Sequence, residues 1–499
     1  MSEIRQPAYL SAAQLTLENS MKTLKVDVAV IGGGTAGMTA YRAARMHKQR
    51  TVMIEGGPYG TTCARVGCMP SKLLISAAEA AHALAAAPAF GVHAGQVRID
   101  GRAVMARVRS ERDRFVGFVL EGVDNIPDED KIRGYARFTG PGRLQVGQHT
   151  VIEAERIVIA TGSTAIVPEE WKTGGDRVIS SDDVFDWTDL PASVAVVGSG
   201  VIGLELGQAL HRLGVRVAIF ARGSSVAQLS DPLVLQDAAK VLGAQVDLRF
   251  QTQVAAIARE GDGVRLTSRD AAGVERSEHF EYVLSAIGRS PNVRQLGLEL
   301  AQIELDRHGI PLYDQRTMQC GKSAIFIAGD ADNERPVLPE AADQGRIAGD
   351  NAARYPDVQP GLRRTPLAIA FSEPQIATLG ASYKALCISH AGRFAIGAVS
   401  FENQGRSRVM LQNHGMLRVY GEFGTGRFLG AEMIGPRAEH LGHLLSWACQ
   451  AKLTVAAMLD MPFYHPVIEE GVRTALRDLA ATLAKDPADV ACADCTPGP

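Results

Sequence analysis

Gly60-Thr-Thr-Cys63-Ala-Arg65-Val-Gly67-Cys68-Met-Pro70-Ser-Lys72 decides how the rest of this 499-residue chain is read. Cys63 and Cys68 have four residues between them. Pro70 suits the first turn of a helix, where its missing N–H is no loss. The run from Lys72 to Ala87 is rich in strong helix formers, and Pro88 ends it. Cys68 is therefore expected at or just before a helix N-terminus, where the partial positive charge favours thiolate over thiol. Cys63 is expected in the loop behind it. A bridge between them needs irregular backbone, which Gly67 permits. One activated sulfur with an accessible partner is what reversible thiol–disulfide chemistry requires. Taken alone, the pair is equally compatible with two unrelated buried cysteines.

Immediately before this stretch the chain shows strand, glycine turn, helix, strand and acid. Val26–Ile31 reads as a buried strand, Gly32-Gly-Gly34-Thr-Ala-Gly37 as G-x-G-x-x-G, Met38–Met46 as a helix, and Thr51–Ile54 as a strand ending at Glu55. The glycines let backbone approach a pyrophosphate at the helix N-terminus, and the acid bonds a ribose hydroxyl. The pattern recurs far downstream: Val194–Val197, Gly198-Ser-Gly200-Val-Ile-Gly203, a helix over Leu204–Leu213, and a strand over Val215–Phe220. This second copy carries Arg222 where the first has Glu55. An arginine there accommodates a 2′-phosphate; it is equally at home as a solvated surface residue. Two copies so far apart mean two nucleotide-binding domains, not a solenoid.

Other strands end in turns at Thr161-Gly162-Ser163, at Gly288 and at Gly329-Asp330, and an acid at such a strand end faces the ligand crevice. From Pro366 the pattern changes. Strands around Ala368–Phe371, Phe394–Val399, Gly415–Tyr420 and Phe428–Ile434, with helices at Ala438–Ala451 and Val455–Leu459, suggest an antiparallel third domain. His465-Pro466 precedes Glu469 and Glu470; a histidine oriented by a carboxylate serves as a base, although a His-Pro turn needs no chemistry. The tail carries Cys492 and Cys495, readable as an extra dithiol or as two incidental thiols.

The bulk numbers set limits. Net charge is −3, with 46% hydrophobic and 21% charged residues, so there is no basic footprint for nucleic acid or anionic membrane. No uninterrupted apolar run of membrane-spanning length is found. The first twenty residues lack a secretory apolar core, and Met21 is a possible start. Seven scattered cysteines suit a reducing cytoplasm in which a disulfide is catalytic.

With these pieces in order, the chain resembles the FAD-dependent pyridine-nucleotide–disulfide oxidoreductases over roughly residues 25–485, most specifically in Gly60–Lys72. Further matches are Ala160-Thr-Gly-Ser163, Gly288-Arg-Ser-Pro-Asn292, Ala328-Gly-Asp330, Phe371-Ser-Glu-Pro-Gln-Ile-Ala377 and His465-Pro466 through Glu470. The resemblance implies an α/β fold with two Rossmann-like domains and a C-terminal α+β dimerisation domain. Its parts would be an extension (1–24), an FAD domain (25–165 and 288–361), an NAD(P) domain (166–287), an interface domain (362–485) and a flexible tail (486–499). Cys63 would be the interchange thiol and Cys68 the thiolate against the flavin. Lys72 would pair with Glu205 near flavin and nicotinamide. Gly32, Gly34, Gly37, Glu55, Thr161, Gly162 and Asp330 would hold FAD, and Gly198, Gly200, Gly203, Arg222 and Gly288 NAD or NADP. His465, oriented by Glu470, would be the acid–base, reaching the other subunit of a homodimer. No metal site is expected.

The chain departs from the family pattern at Arg65, for an asparagine, and at Val467, for a threonine. Leu338-Pro-Glu-Ala341 replaces the Leu-Ala-His-x-Ala of dihydrolipoamide dehydrogenases, and Gln228 stands where NADPH enzymes carry a second arginine. The expected activity is oxidation or reduction of a small dithiol or disulfide, with dihydrolipoamide, free or as the lipoyl group of a multienzyme complex, the leading candidate. The alternatives are an NADPH-driven reductase of a small disulfide or metal ion, a soluble transhydrogenase, and a flavoprotein whose role is assembly.

Overall fold

The computed structural model describes residues 21–487 and Val490. The N-terminal extension and the Cys492/Cys495 pair lie outside the described residues. The chain divides into two compact units. One comprises the residues up to Arg65, Arg114–Thr164 and Arg289–Arg363; the other comprises Val66–Asp113, Ala165–Gly288 and the residues from Arg364 on.

The first unit is built on a sheet whose five parallel strands run in the order Lys131–Arg133, Thr51–Glu55, Lys22–Ile31, Thr150–Ile159, Ile325–Ile327. A strand buried on both faces reads as a continuous apolar run, because successive side chains point to opposite sides. Val28, Val30, Met53, Val158 and Phe326 pack on one face. Ala29, Ile31, Val52, Ile54, Ile157 and Ile325 pack on the other. Strand Thr150–Ile159 is ten residues long, and its first half also pairs antiparallel with Arg143–Val146.

Helix Leu338–Arg354 was not anticipated, because Gly345 and Gly349 weaken it by propensity. Its contact with helix Thr35–Met46 needs both. A Cβ on Gly345 would stand 2.2 Å from the Ala36 carbonyl oxygen, and one on Gly349 2.3 Å from that of Ala40. Gly345→Ala is therefore expected to lower stability by ~1–3 kcal/mol through overpacking, despite alanine's better helix propensity. The check is the chemical denaturation midpoint; an unchanged or raised midpoint removes the argument.

The second unit holds a five-stranded parallel sheet in the order Asp247–Arg249, Arg216–Phe220, Ser193–Val197, Tyr282–Ser285, Val178–Ser180. It also holds an antiparallel three-stranded sheet over Gln253–Phe280. The C-terminal antiparallel sheet runs Leu367–Ala370, Gln375–Gly380, Phe428–Gly435, Met416–Glu422, Phe394–Ser400. Strand Gln375–Gly380 is additional to the four expected. Leu441, Leu445, Val472, Leu476 and Leu479, from helices Ala438–Gln450 and Glu470–Leu483, share one apolar core with this sheet.

The sequence reading grouped residues 25–165. By packing, residues 66–113 fall in the second unit. The reason is helix Cys68–Ala86, whose Leu74, Ile75 and Ala78 share a core with Leu204, Leu206 and Leu210. By length and mean hydropathy the run Thr62–Phe90 is long and apolar enough to cross a membrane. Arg65, Lys72 and Glu79 interrupt it, so it holds no uninterrupted apolar stretch of membrane-spanning length.

Candidate active site

Two glycine cradles set the geometry, one in each unit. In the first, strand Lys22–Ile31 turns at Gly32, whose φ of +114° is open to glycine. A Cβ there would lie 2.2 Å from the Ala160 carbonyl oxygen, and one on Gly37 1.8 Å from that of Gly32. The turn can thus close only with glycine at both positions. At Gly34, the N-cap of helix Thr35–Met46, no atom lies within 4 Å of where a Cβ would stand, so the helix N-terminus faces open space.

Glu55 accepts from Gly33 N–H at 2.7 Å and from Gly57 N–H at 2.6 Å, one bond per carboxylate oxygen. Each oxygen keeps a lone pair for a ribose hydroxyl. Thr161 Oγ1 is buried without a hydrogen-bond partner among the described residues. Gly162 turns the chain at φ +67°. Asp330 accepts from Ser163 Oγ at 2.8 Å, and Arg289 donates to Ser163 Oγ at 3.0 Å and to its carbonyl at 2.9 Å. The sequence reading picked out Asp330 but missed the Ser163–Arg289 chain that orients it.

The second cradle repeats the first. Gly198 has φ +119°, and a Cβ there would lie 2.3 Å from the Ala286 oxygen. One on Gly203 would lie 2.0 Å from the Gly198 oxygen, while Gly200 again has nothing within 4 Å. Ser199 Oγ donates to the Ser225 carbonyl at 2.6 Å, and Ala227 N–H donates to the Ser199 carbonyl at 2.9 Å. These bonds tie the loop carrying Arg222 to the cradle. Arg222 itself is exposed just beyond strand Arg216–Phe220. Gly288, at φ +130°, accepts at its carbonyl from Ile166 N–H.

Below this cradle Glu205 is 4% exposed on helix Val201–Arg212. Its Oε2 meets Lys72 Nζ at 2.8 Å and its Oε1 accepts from Phe371 N–H at 2.8 Å. The Lys72 ammonium also sits 4.6 Å from the centre of the Phe371 ring, within cation–π range. Phe371 is a participant that sequence reasoning quoted without giving it a role.

Cys63 lies in a short helix, Thr62–Val66, rather than in the expected loop. Five residues are too few to declare a helix by periodicity. Gly67 breaks the run with φ −128° and ψ −116°, and Cys68 is the first residue of helix Cys68–Ala86. Cys63 is half-buried and Cys68 exposed.

His465 Nδ1 lies 3.0 and 3.1 Å from the two Glu470 carboxylate oxygens, and Val467 N–H adds a bond at 3.2 Å. The hydrogen bond from His465, then that from Val467, holds the Glu470 carboxyl below its usual range. The carboxylate only accepts, so Nδ1 carries a proton, and in the neutral imidazole the free lone pair is on Nε2. The His465 side chain is 79% exposed.

The fit to two dinucleotides rests on these observations. Both cradles leave space where a Cβ would stand at Gly34 and Gly200, backbone N–H groups at helix starts suit pyrophosphates, and Thr161 Oγ1 wants a partner. Among the described residues no cluster of three or more His, Cys, Asp or Glu is placed to hold a metal ion.

The pyridine nucleotide-disulphide oxidoreductase family model matches residues 26–345, and the family's dimerisation-domain model matches 367–476. The chain belongs to this family. The oxidoreductase is 30% identical to dihydrolipoyl dehydrogenase 3 of Pseudomonas aeruginosa, over 91% of this chain and 97% of that protein. It is 30% identical to a mercuric reductase of Shigella flexneri, over 94% of this chain and 82% of that protein. Among solved structures it is similar to LpdA of Mycobacterium tuberculosis, with a TM-score of 0.76 and 26% identity over 91% of this chain and 99% of that one. The oxidoreductase is an enzyme that uses FAD and NAD(P), and it carries the family's dimerisation domain.

Proposed function

We propose that this oxidoreductase acts on a dithiol–disulfide of the dihydrolipoamide class, free or as a lipoyl group of a multienzyme complex, with NAD(P) as the other substrate. The observation that carries the reading is the His465–Glu470 pair. A dithiol must shed a proton before its sulfur attacks a disulfide, and a histidine held by a carboxylate takes that proton. A metal ion accepts electrons without a proton at the acceptor, so it gives this pair no task.

In this reading one substrate sulfur attacks Cys63, the Cys63–Cys68 bond breaks, and the second substrate sulfur displaces Cys63 to close the substrate disulfide. Two electrons reach NAD(P)+ as a hydride and one proton goes to solvent. Bound FAD supplies the two-electron relay between the cysteines and the nicotinamide. His465 takes the substrate proton at Nε2, and we place it against the cysteines of a second copy of this chain. A reducing cytoplasm suits the scattered cysteines.

Arg222 favours a second reading, an NADPH-driven reductase of a small disulfide. Steady-state rates with NADH and NADPH against lipoamide, glutathione disulfide and mercuric ion decide between them. Lipoamide is expected to give the highest kcat/KM; a mercuric-only enzyme would refute the proposal. If Arg222 meets a 2′-phosphate, the charge-assisted contact contributes ~1.5–3 kcal/mol. Arg222→Ala then lowers the NADPH-to-NADH ratio of kcat/KM by roughly tenfold to a hundredfold. An unchanged ratio removes Arg222 from recognition.

A further inference from the structure

Gln208 is 5% exposed, three residues beyond Glu205 on the same face of helix Val201–Arg212. Its side-chain amide forms a two-point clasp on one residue. Oε1 accepts from Glu373 N–H at 2.8 Å, and Nε2 donates to the Glu373 carbonyl at 2.8 Å. The second Nε2 hydrogen goes to Gln245 Oε1 at 2.9 Å. Arg212, one turn further on, donates to the same Gln245 oxygen at 3.1 Å.

Phe371, two residues before Glu373, gives its N–H to Glu205 and its ring to the Lys72 ammonium. The segment carrying Phe371 is thus fixed to the helix at two levels, by Glu205 and by Gln208. Lys72 needs that support. Its side chain is 34% exposed, and beyond the Phe371 ring its ammonium meets Glu205 and, at 3.4 Å, Ser71 Oγ. A shift of the Phe371 segment takes away the ring under the ammonium and the donor that orients the Glu205 carboxylate.

We propose that Gln208 is a positioning residue for reduction by nicotinamide, holding Lys72 in place through the Glu373 backbone, Phe371 and Glu205. The inference rests on the reading that Lys72 and Glu205 serve the nicotinamide. Nothing in the clasp touches a reacting atom, so its effect is on placement alone, and small misplacements are costly in hydride transfer.

The test uses the purified, FAD-loaded enzyme and Gln208→Met, which keeps the length and removes the hydrogen bonds. Reduction by saturating NADH or NADPH is followed by stopped-flow, as is reoxidation by lipoamide. Acetylation of Lys72 is timed by mass spectrometry. Reduction is expected to slow on the order of ten- to a hundredfold while reoxidation is unchanged. Lys72 is expected to acetylate faster than in wild type. Gln245→Met, which removes one backing bond and leaves the clasp, is expected to move both readouts the same way by less, and it answers the question if Gln208→Met does not fold. Unchanged reduction, or equal slowing of both half-reactions with unchanged Lys72 labelling, overturns the role. A wild-type enzyme that neither nucleotide reduces would instead remove the reading on which the inference rests.

Discussion

Cys63→Ser is expected to bring disulfide turnover to background while leaving reduction by nicotinamide intact. Cys68→Ser is expected to stop turnover too, and also to remove the long-wavelength absorbance of a thiolate beside a bound flavin. The difference follows from where the chain puts each sulfur. Cys68 begins helix Cys68–Ala86, whose N-terminal amides favour negative charge, whereas Cys63 belongs to the separate helix Thr62–Val66 beyond Gly67. The measurement is the visible spectrum on stepwise dithionite reduction together with lipoamide turnover. Normal turnover in either variant would end the assignment of the couple, and loss of the band in Cys63→Ser would exchange the two roles.

His465→Ala is expected to lower disulfide turnover by ~10²–10⁴-fold, the usual contribution of a positioned acid–base group. Reduction by nicotinamide should be spared, because His465 lies in the dimerisation domain and its hydrogen bonds run to Glu470. The hydrogen bonds from His465 and Val467 hold the Glu470 carboxyl below its usual range, which keeps it an acceptor for Nδ1. Glu470→Gln keeps an acceptor for the Nδ1 hydrogen and is expected to lower disulfide turnover by less than His465→Ala does. If both half-reactions fall together in His465→Ala, the residue serves dimer assembly instead.

Much of this was legible because the chemistry is local in sequence. The glycine cradles, Glu55, the Cys63–Cys68 stretch and His465 through Glu470 each lie within a few consecutive residues or one strand–helix–strand unit. What escaped depends on partners far along the chain. Helix Leu338–Arg354 hides behind Gly345 and Gly349, which look like breakers until the Ala36 and Ala40 backbone is seen against them. Strand Gln253–Glu260 shows no alternation to read, since Ile257 alone among its residues is buried. Gln208 carries no local signal of its role; the backbone that occupies its amide comes from 165 positions on. Glu205 was reachable by family likeness, while the ring of Phe371 under Lys72 was not.

The position of strand Ile325–Ile327 has a cost during synthesis. It completes the first unit's parallel sheet against Ile157–Ile159, yet it is made about 165 residues later in the chain. At ~5–20 residues per second, ribosomes leave that apolar edge unpaired for roughly ten to thirty seconds. An open edge of Ile157, Val158 and Ile159 is a template for pairing with any neighbouring nascent chain. A holding chaperone that shields this edge is therefore expected to raise the yield of folded enzyme, and slower translation, which lengthens the interval, to lower it.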